Sequence, residues 1–206
     1  YPATVVAGGN GEGSELNQFS YVRGIHVDSS GNIYIVDRGN ARVVKWAPGA
    51  SEGVLVAGGN GSGSALNQFN YPTGIHVDIS GNIYVVDNRN HRVMKWEPGA
   101  SEGTLVAGGI NQNSGVQLQY PFDIAIDSDG NIYVSELQNN GRVIKWAQGA
   151  GALDGKVIAG GNGAGSANNQ LNRPTGVHVD SFGNIYVADE SNHRIQYIQV
   201  APQITI

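Results

Sequence analysis

The chain has 206 residues, 40% hydrophobic and 14% charged, so it is long enough for one good-sized core and too apolar for a disordered segment. Net charge is −5, and seven of the twelve Lys and Arg residues (Arg42, Lys45, Arg92, Lys95, Arg142, Lys145, Arg194) are shared out at matching positions; with no basic face, nucleic acid is not an expected partner. There is no cysteine, hence no disulfide framework or thiolate metal site, and no stretch approaches the ~20 apolar residues of a membrane helix, so membrane insertion is not expected.

In chain order, residues 3–9 come first. Thr4-Val5-Val6-Ala7-Gly8-Gly9 matches Thr104-Leu105-Val106-Ala107-Gly108-Gly109 and reads as a lone strand d without a module of its own. Four modules follow, at 21–59, 71–109, 120–161 and 173–200. Their aromatic markers Trp46, Trp96, Trp146 and Tyr197 recur at steps of 50, 50 and 51 residues, a period that signals stacked supersecondary units. In the second module, Thr73 to Asp78 reads as strand a. Ile79-Ser80-Gly81-Asn82 is a tight turn in which Gly supplies a positive φ. Ile83 to Asp87 is strand b and His91 to Trp96 strand c, joined by Asn88-Arg89-Asn90. A Pro- and Gly-containing loop leads to strand d, Thr104 to Ala107, and a long polar d–a loop leads on. No window carries a helical apolar stripe, so the chain reads as all-β.

Strand b is apolar on both faces, Ile83 and Val85 on one and Tyr84 and Val86 on the other. A sheet wetted on one side would alternate. Each four-stranded antiparallel sheet is therefore expected to be covered on both sides by its own copies, the β-propeller solution. The last module shows strands a, b and c but no clear d. The N-terminal strand is expected to complete that sheet, a Velcro closure that also hides two sheet edges.

The phrase Pro-Thr-Gly-Ile-x-Val-Asp, Gly-Asn-Ile-Tyr-Val-x-Asp, Asn-His-Arg-Val resembles the NHL repeat of β-propellers. It stands in full at Pro72 to Val93 and Pro174 to Ile195, and with departures (Ala41 and Gly141 in place of His) at Val22 to Val43 and Pro121 to Val143. The Trp-Asp of WD40 blades is absent. The resemblance usually implies six blades, and here there are four. A self-closed ring, a two-chain propeller assembly and a piece of a longer array all stay open; the first residue, Tyr1, is expected to be a mature or trimmed start, and the compartment stays open, with an extracellular place preferred over the cytosol.

Most repeated polar residues read as frame. Asp37, Asp87, Glu136 and Asp189 are expected to cap backbone N–H groups and pair with Arg42, Arg92, Arg142 and Arg194 across the b–c hairpin. Asp127-Ser128-Asp129-Gly130-Asn131 hints at a calcium loop, but Gly130 stands too early and Gln138 occupies the position of the closing Glu, so it reads as a turn. The aromatic markers read as packing between blades. His26, His76 and His178 occupy the middle of strand a, where the third module has Ala125, and three imidazoles are a legitimate zinc set. The resemblance includes a zinc-using amidating lyase, but its Pro-His pair is replaced here by Thr73, Phe122 and Thr175 after the prolines. No cofactor and no metal are expected.

Function is expected where the copies differ. Module 3 reads Pro121-Phe122-Asp123-Ile124-Ala125, with Asp123 in place of Gly24, Gly74 and Gly176, and Arg23 fills the slot of Thr73 and Thr175 in module 1. The loop stretch Ile110-Asn111-Gln112-Asn113 also breaks the pattern. The expected ligand-binding set is Arg23, Thr73, Phe122, Asp123, Thr175, His26, His76 and His178, at the mouth of the channel on the face of the d–a loops. The expected role is a non-enzymatic scaffold that holds a protein, peptide or small polar ligand. The alternatives are a metal-dependent lyase or hydrolase on the three His, and a structural spacer.

Overall fold

The computed structural model describes residues 2–109, 117–138 and 141–199, arranged as two compact units, Tyr1–Ile110 and Asn111–Ile206. The stretch Ile110-Asn111-Gln112-Asn113 lies outside the described residues. The first unit holds two antiparallel four-stranded sheets: β1 (Val22–Val27), β2 (Ile33–Asp37), β3 (Arg42–Trp46) and β4 (Val54–Gly58), then β5 (Pro72–Val77), β6 (Ile83–Asp87), β7 (Arg92–Trp96) and β8 (Thr104–Gly108), each in sequence order. The second unit repeats the plan with β9 (Pro121–Ile126), β10 (Ile132–Glu136), β11 (Arg142–Trp146) and β12 (Lys156–Gly160), followed by a sheet of three strands among the described residues, β13 (Pro174–Val179), β14 (Ile185–Asp189) and β15 (Arg194–Ile198). These are the four expected blades of an all-β propeller fold.

Thr4–Gly9 lies outside the strands of the first unit, with Val5 and Val6 74% and 62% exposed, and the last sheet shows three strands among the described residues.

The a–b turns show why the phrase Asp-x-x-Gly-Asn recurs. The Asp28 carboxylate accepts from the backbone N–H groups of Ser30 and Asn32, the Asn32 amide and the Tyr34 hydroxyl, while Gly31 takes φ 80°. The same set forms on Asp127, from Asp129, Asn131 and Tyr133. Its oxygens are committed to the turn, as expected for a hairpin and not for a calcium loop. The side chain of Asn32, then these backbone donors, hold Asp28 below the usual carboxylate range.

The core of the first unit lies between its blades: Tyr34, Val36 and Val43 pack with Ile75, Val77, Val85, Met94 and Trp96. In the second unit Ala125, Tyr133 and Val143 pack with Val177, Ile185 and Val187. Apolar strand-b residues on both faces are thereby used, as the lack of alternation requires. Of the four aromatic markers, Trp46, Trp96 and Trp146 are at most 2% exposed, but Tyr197 is 51% exposed. Tyr197 is not inter-blade core; its ring meets Tyr186 of the same sheet at 5.2 Å.

Candidate functional site

The b–c turns fix the d–a loops. Asp37 and Arg42 face each other across the β2–β3 hairpin; one carboxylate oxygen of Asp37 accepts from Arg42 Nε at 2.7 Å and from the Asn40 amide, the other from the Ser20 backbone. The rest of the Arg42 guanidinium donates to the carbonyls of Ser14, Glu15 and Gln18. The planar fork of Arg therefore gathers the d–a loop onto the end of its own blade. Arg92 does the same for Ser64, Ala65 and Gln68, and Arg194 for Ser166, Ala167 and Gln170. Pairing with an acid was legible in the sequence; the grip on the loop was not, because it joins residues 24 to 28 positions apart without periodic signal.

The expected ligand-binding residues fall into three groups. His26 and His76 meet in the first unit, ring centroids 5.0 Å apart. Burial, then the neighbouring His26, pushes His76 down to about 4, and burial also lowers His26. Both rings are thus neutral near neutrality. His178, in the second unit, is exposed and lies 6.4 Å from the Tyr186 ring. Among the described residues no group of three or more His, Asp or Glu is placed to hold a metal ion.

Thr73, in strand β5, is buried, and its hydroxyl has no hydrogen-bond partner among the described residues. Its backbone oxygen occupies the space where a side chain on Gly24 would begin, so the glycine in strand a lets neighbouring blades touch backbone to backbone. Arg23 on β1 is exposed, and Phe122 on β9 and Thr175 on β13 are half-buried.

Asp123 uses the space that glycine leaves open. Its carboxylate reaches the next blade and accepts from the Val177 N–H at 3.2 Å, while its own N–H donates to the Ser135 hydroxyl at 3.1 Å. Ser135 stands where the other blades have Val36, Val86 and Ala188. The two departures in blade 3 therefore form one polar tie from β9 to β10 and β13. Burial pushes Asp123 up from the ordinary carboxylate range.

A further constellation lies at the loop end of the first unit. Tyr21 and Tyr71 close the d–a loops with φ 52° and 57°, a left-handed state that bulky residues seldom adopt. Tyr21 is 71% and Tyr71 42% exposed. The Arg38 guanidinium lies 5.9 Å from the Tyr21 centroid and 4.9 Å from that of Tyr71, and Arg89 stacks on Tyr71 at 3.6 Å. Both arginines come from the b–c turns, held close by Gly39 and Arg89 backbone N–H groups donating to Ser20 and Asn70. Tyr21, Arg38, Gly39, Ala41, Ser62 and Tyr71 line a cleft of about 510 Å³. Sequence reasoning missed these side chains. The available signal was that blades 3 and 4 place Leu137-Gln138 and Glu190-Ser191 in the turns where blades 1 and 2 place an arginine.

Comparison with known proteins fits this frame. The family model described as NHL repeat matches residues 19–46, 69–96 and 171–196. No curated protein matches in sequence. Similar solved structures include a structural genomics protein of unknown function from Bacteroides thetaiotaomicron (19% identity, TM-score 0.68, 85% of this chain and 46% of that one), a nidogen/laminin complex (17%, 0.66, 86% and 60%) and a streptogramin B lyase (12%, 0.59, 92% and 59%). The chain thus spans about half to three-fifths of the length of these structures. At such identities they show the fold alone. The chain carries the NHL repeat on three of its four blades, each in register with strands a to c, on a β-propeller frame.

Proposed function

We propose that the chain is a non-enzymatic protein-recognition module whose contact surface is the face carrying the d–a loops and b–c turns. The observation that carries this reading is the Tyr21–Arg38–Tyr71–Arg89 row, because exposed Tyr and Arg on a rigid frame are the side chains that anchor protein partners most effectively. The row stands on loops that Arg42 and Arg92 hold from below, so little conformational entropy is lost on binding. A similar solved structure is a nidogen/laminin complex, a protein–protein assembly, which supports the reading. His26 and His76 pack against each other.

The test is site-directed photo-cross-linking. Benzoylphenylalanine placed at Tyr71 is expected to capture a protein from an extract of the source cells. The same probe at Ile79, fully exposed on the opposite end of the same blade, is expected to capture none. Equal capture at both positions, or none at either, would sink the reading.

A further inference from the structure

Resting on that reading, we propose that the Tyr–Arg row of the first unit binds an acidic segment of its partner, carboxylates on the guanidiniums and the peptide stem over the tyrosine rings. Four observations converge on this chemistry.

The first is that the charge is uncommitted. Arg42, Arg92, Arg142 and Arg194 each hold a carboxylate within 2.8 Å. The side chains of Arg38 and Arg89 make no ion pair or hydrogen bond among the described residues; what they touch is aromatic. Each guanidinium thus keeps its fork of N–H donors for a ligand, and the planar geometry matches a carboxylate.

The second is that two like charges share one ring. The guanidinium carbons of Arg38 and Arg89 lie 4.9 and 3.6 Å from the Tyr71 centroid. Stacking offsets part of the repulsion, since a cation over an exposed ring gains roughly 0.5–1 kcal/mol. An anion between or above them would remove the rest.

The third is the sign of the whole chain. At −5 the protein repels acidic partners in general; at this end Asp37 and Asp87 are paired with Arg42 and Arg92 and Glu12 accepts from the Ser20 hydroxyl, which leaves Arg38 and Arg89 as the charges open to an acidic segment. In the second unit the corresponding turns carry Leu137-Gln138 and Glu190-Ser191, which offer no such place.

The fourth is backbone strain. The left-handed state at Tyr21 and Tyr71 costs on the order of 1 kcal/mol for a residue with a side chain. It recurs at Tyr120 and Arg173, φ 52° and 55°, so the backbone belongs to the repeat, while the pairing of exposed Tyr with turn Arg is confined to the first unit. The result is two tyrosine rings beside two guanidiniums, with Tyr21, Arg38 and Tyr71 lining a cleft of about 510 Å³.

Fluorescein-labelled hexaglutamate is the probe, followed by anisotropy at low and at physiological salt. Wild-type protein is expected to bind it, hexaglutamine is not, and the double variant Arg38→Gln/Arg89→Gln is expected to lose at least about tenfold in affinity. The charge-matched control Lys156→Gln/Arg173→Gln, in the second unit, is expected to stay within about twofold. Arg38→Lys/Arg89→Lys keeps the charge without the fork and is expected to fall between. All are surface changes, and thermal midpoints equal to wild type establish that they fold. Equal losses in the double variant and its control would overturn the proposal as general charge attraction. A single-stranded oligonucleotide that binds more tightly than hexaglutamate and is lost in the same double variant would overturn it in favour of phosphate. If hexaglutamate does not bind while the Tyr71 cross-link still captures a protein, the acidic-segment inference falls and the recognition face stands.

Discussion

β1 and β5 carry nearly the same residues, Val22-Arg23-Gly24-Ile25-His26-Val27 and Pro72-Thr73-Gly74-Ile75-His76-Val77, yet they occupy different environments. Ile25 and Val27 are 63% and 55% exposed, whereas Ile75 and Val77 are 7% and 6% exposed. β5 lies on the inter-blade core of the first unit, with Tyr34, Val36 and Val43 of the preceding blade against it. A repeat thus prescribes the side chain, and the neighbouring blade decides what that side chain is worth. The same letter in two copies is two experiments on one residue.

The largest contrast is apolar. Ile75→Ala removes buried methylenes from a packed core and is expected to cost about 2–5 kcal/mol. Ile25→Ala removes atoms already in water and is expected to cost about 0.5 kcal/mol or less. Urea unfolding of the two variants, with equal m-values, measures both. Similar losses would mean that β1 is as covered in solution as β5.

The second contrast is electrostatic. His76 has its folded value lowered to about 4, below the ~6.5 of an unfolded chain. The fold therefore holds it neutral, and the unfolded chain binds more protons between those values. Stability is fully present above about pH 6.5 and is lost as pH falls towards 4, by about 3 kcal/mol at most. His76→Gln is expected to flatten that limb of the stability curve. His26→Gln is expected to flatten it less, since His26 is less deeply buried; the neighbouring acids Asp28 and Asp78 oppose the lowering at both rings. Parallel curves for wild type and His76→Gln between pH 4 and 6.5 would show that His76 is solvated.

How far the sequence carried this follows from the kind of force involved. Strand bounds, turn glycines and the Asp37–Arg42 type of pair are local or cross-hairpin features, and each copy states them again, so four readings average out the noise. The strand-b positions need no such help, since Ile83, Tyr84, Val85 and Val86 are apolar on both faces and report cover directly. What was not legible joins residues far apart once per molecule. Asp123 reads as an acid at the channel mouth, and its tie to Val177, 54 residues on, has no mark in the letters. Its partner Ser135 carried a signal, a hydroxyl in place of Val36 and Val86, but only the fold shows why the two changes go together. Tyr21 and Tyr71 read as loop ends because neither their left-handed backbone nor their meeting with Arg38 and Arg89 has a letter in the sequence.

A third contrast sets Thr73 against Thr175. The Thr73 hydroxyl is buried without a partner among the described residues, whereas Thr175 is half-buried. Leaving a buried hydroxyl unpaired costs about 1–3 kcal/mol, so Thr73→Val, nearly equal in volume, is expected to raise stability by about 1 kcal/mol. Thr175→Val is expected to change little. Calorimetric midpoints compare them, and a lower midpoint for Thr73→Val would mean that the hydroxyl is hydrogen-bonded in solution.

The smallest effect concerns Asp123 and Gly176, the acid and the glycine at one repeat position in neighbouring blades of the second unit. Burial raises Asp123 above its unfolded value even though the N–H groups of Ile124 and Val177 favour its charge. Between the two values the folded protein binds more protons than the unfolded one, so stability falls as pH rises through that window and stays at the lower level above it. This is opposite in sign to the His76 effect, and the two are separable only by variants. Asp123→Asn keeps a carbonyl oxygen for the Val177 N–H and removes the charge. It is expected to be neutral or slightly destabilising near pH 3, where the wild-type acid is itself uncharged, and to gain on wild type by about 1 kcal/mol or less as pH rises to 7. Asp123→Gly restores the residue of the other blades but leaves the Val177 N–H without the Asp123 carboxylate, and is expected to lose stability at every pH. If Asp123→Asn and wild type keep a constant difference from pH 3 to 7, the carboxylate titrates as a solvated group and the tie between β9 and β13 is not closed in solution.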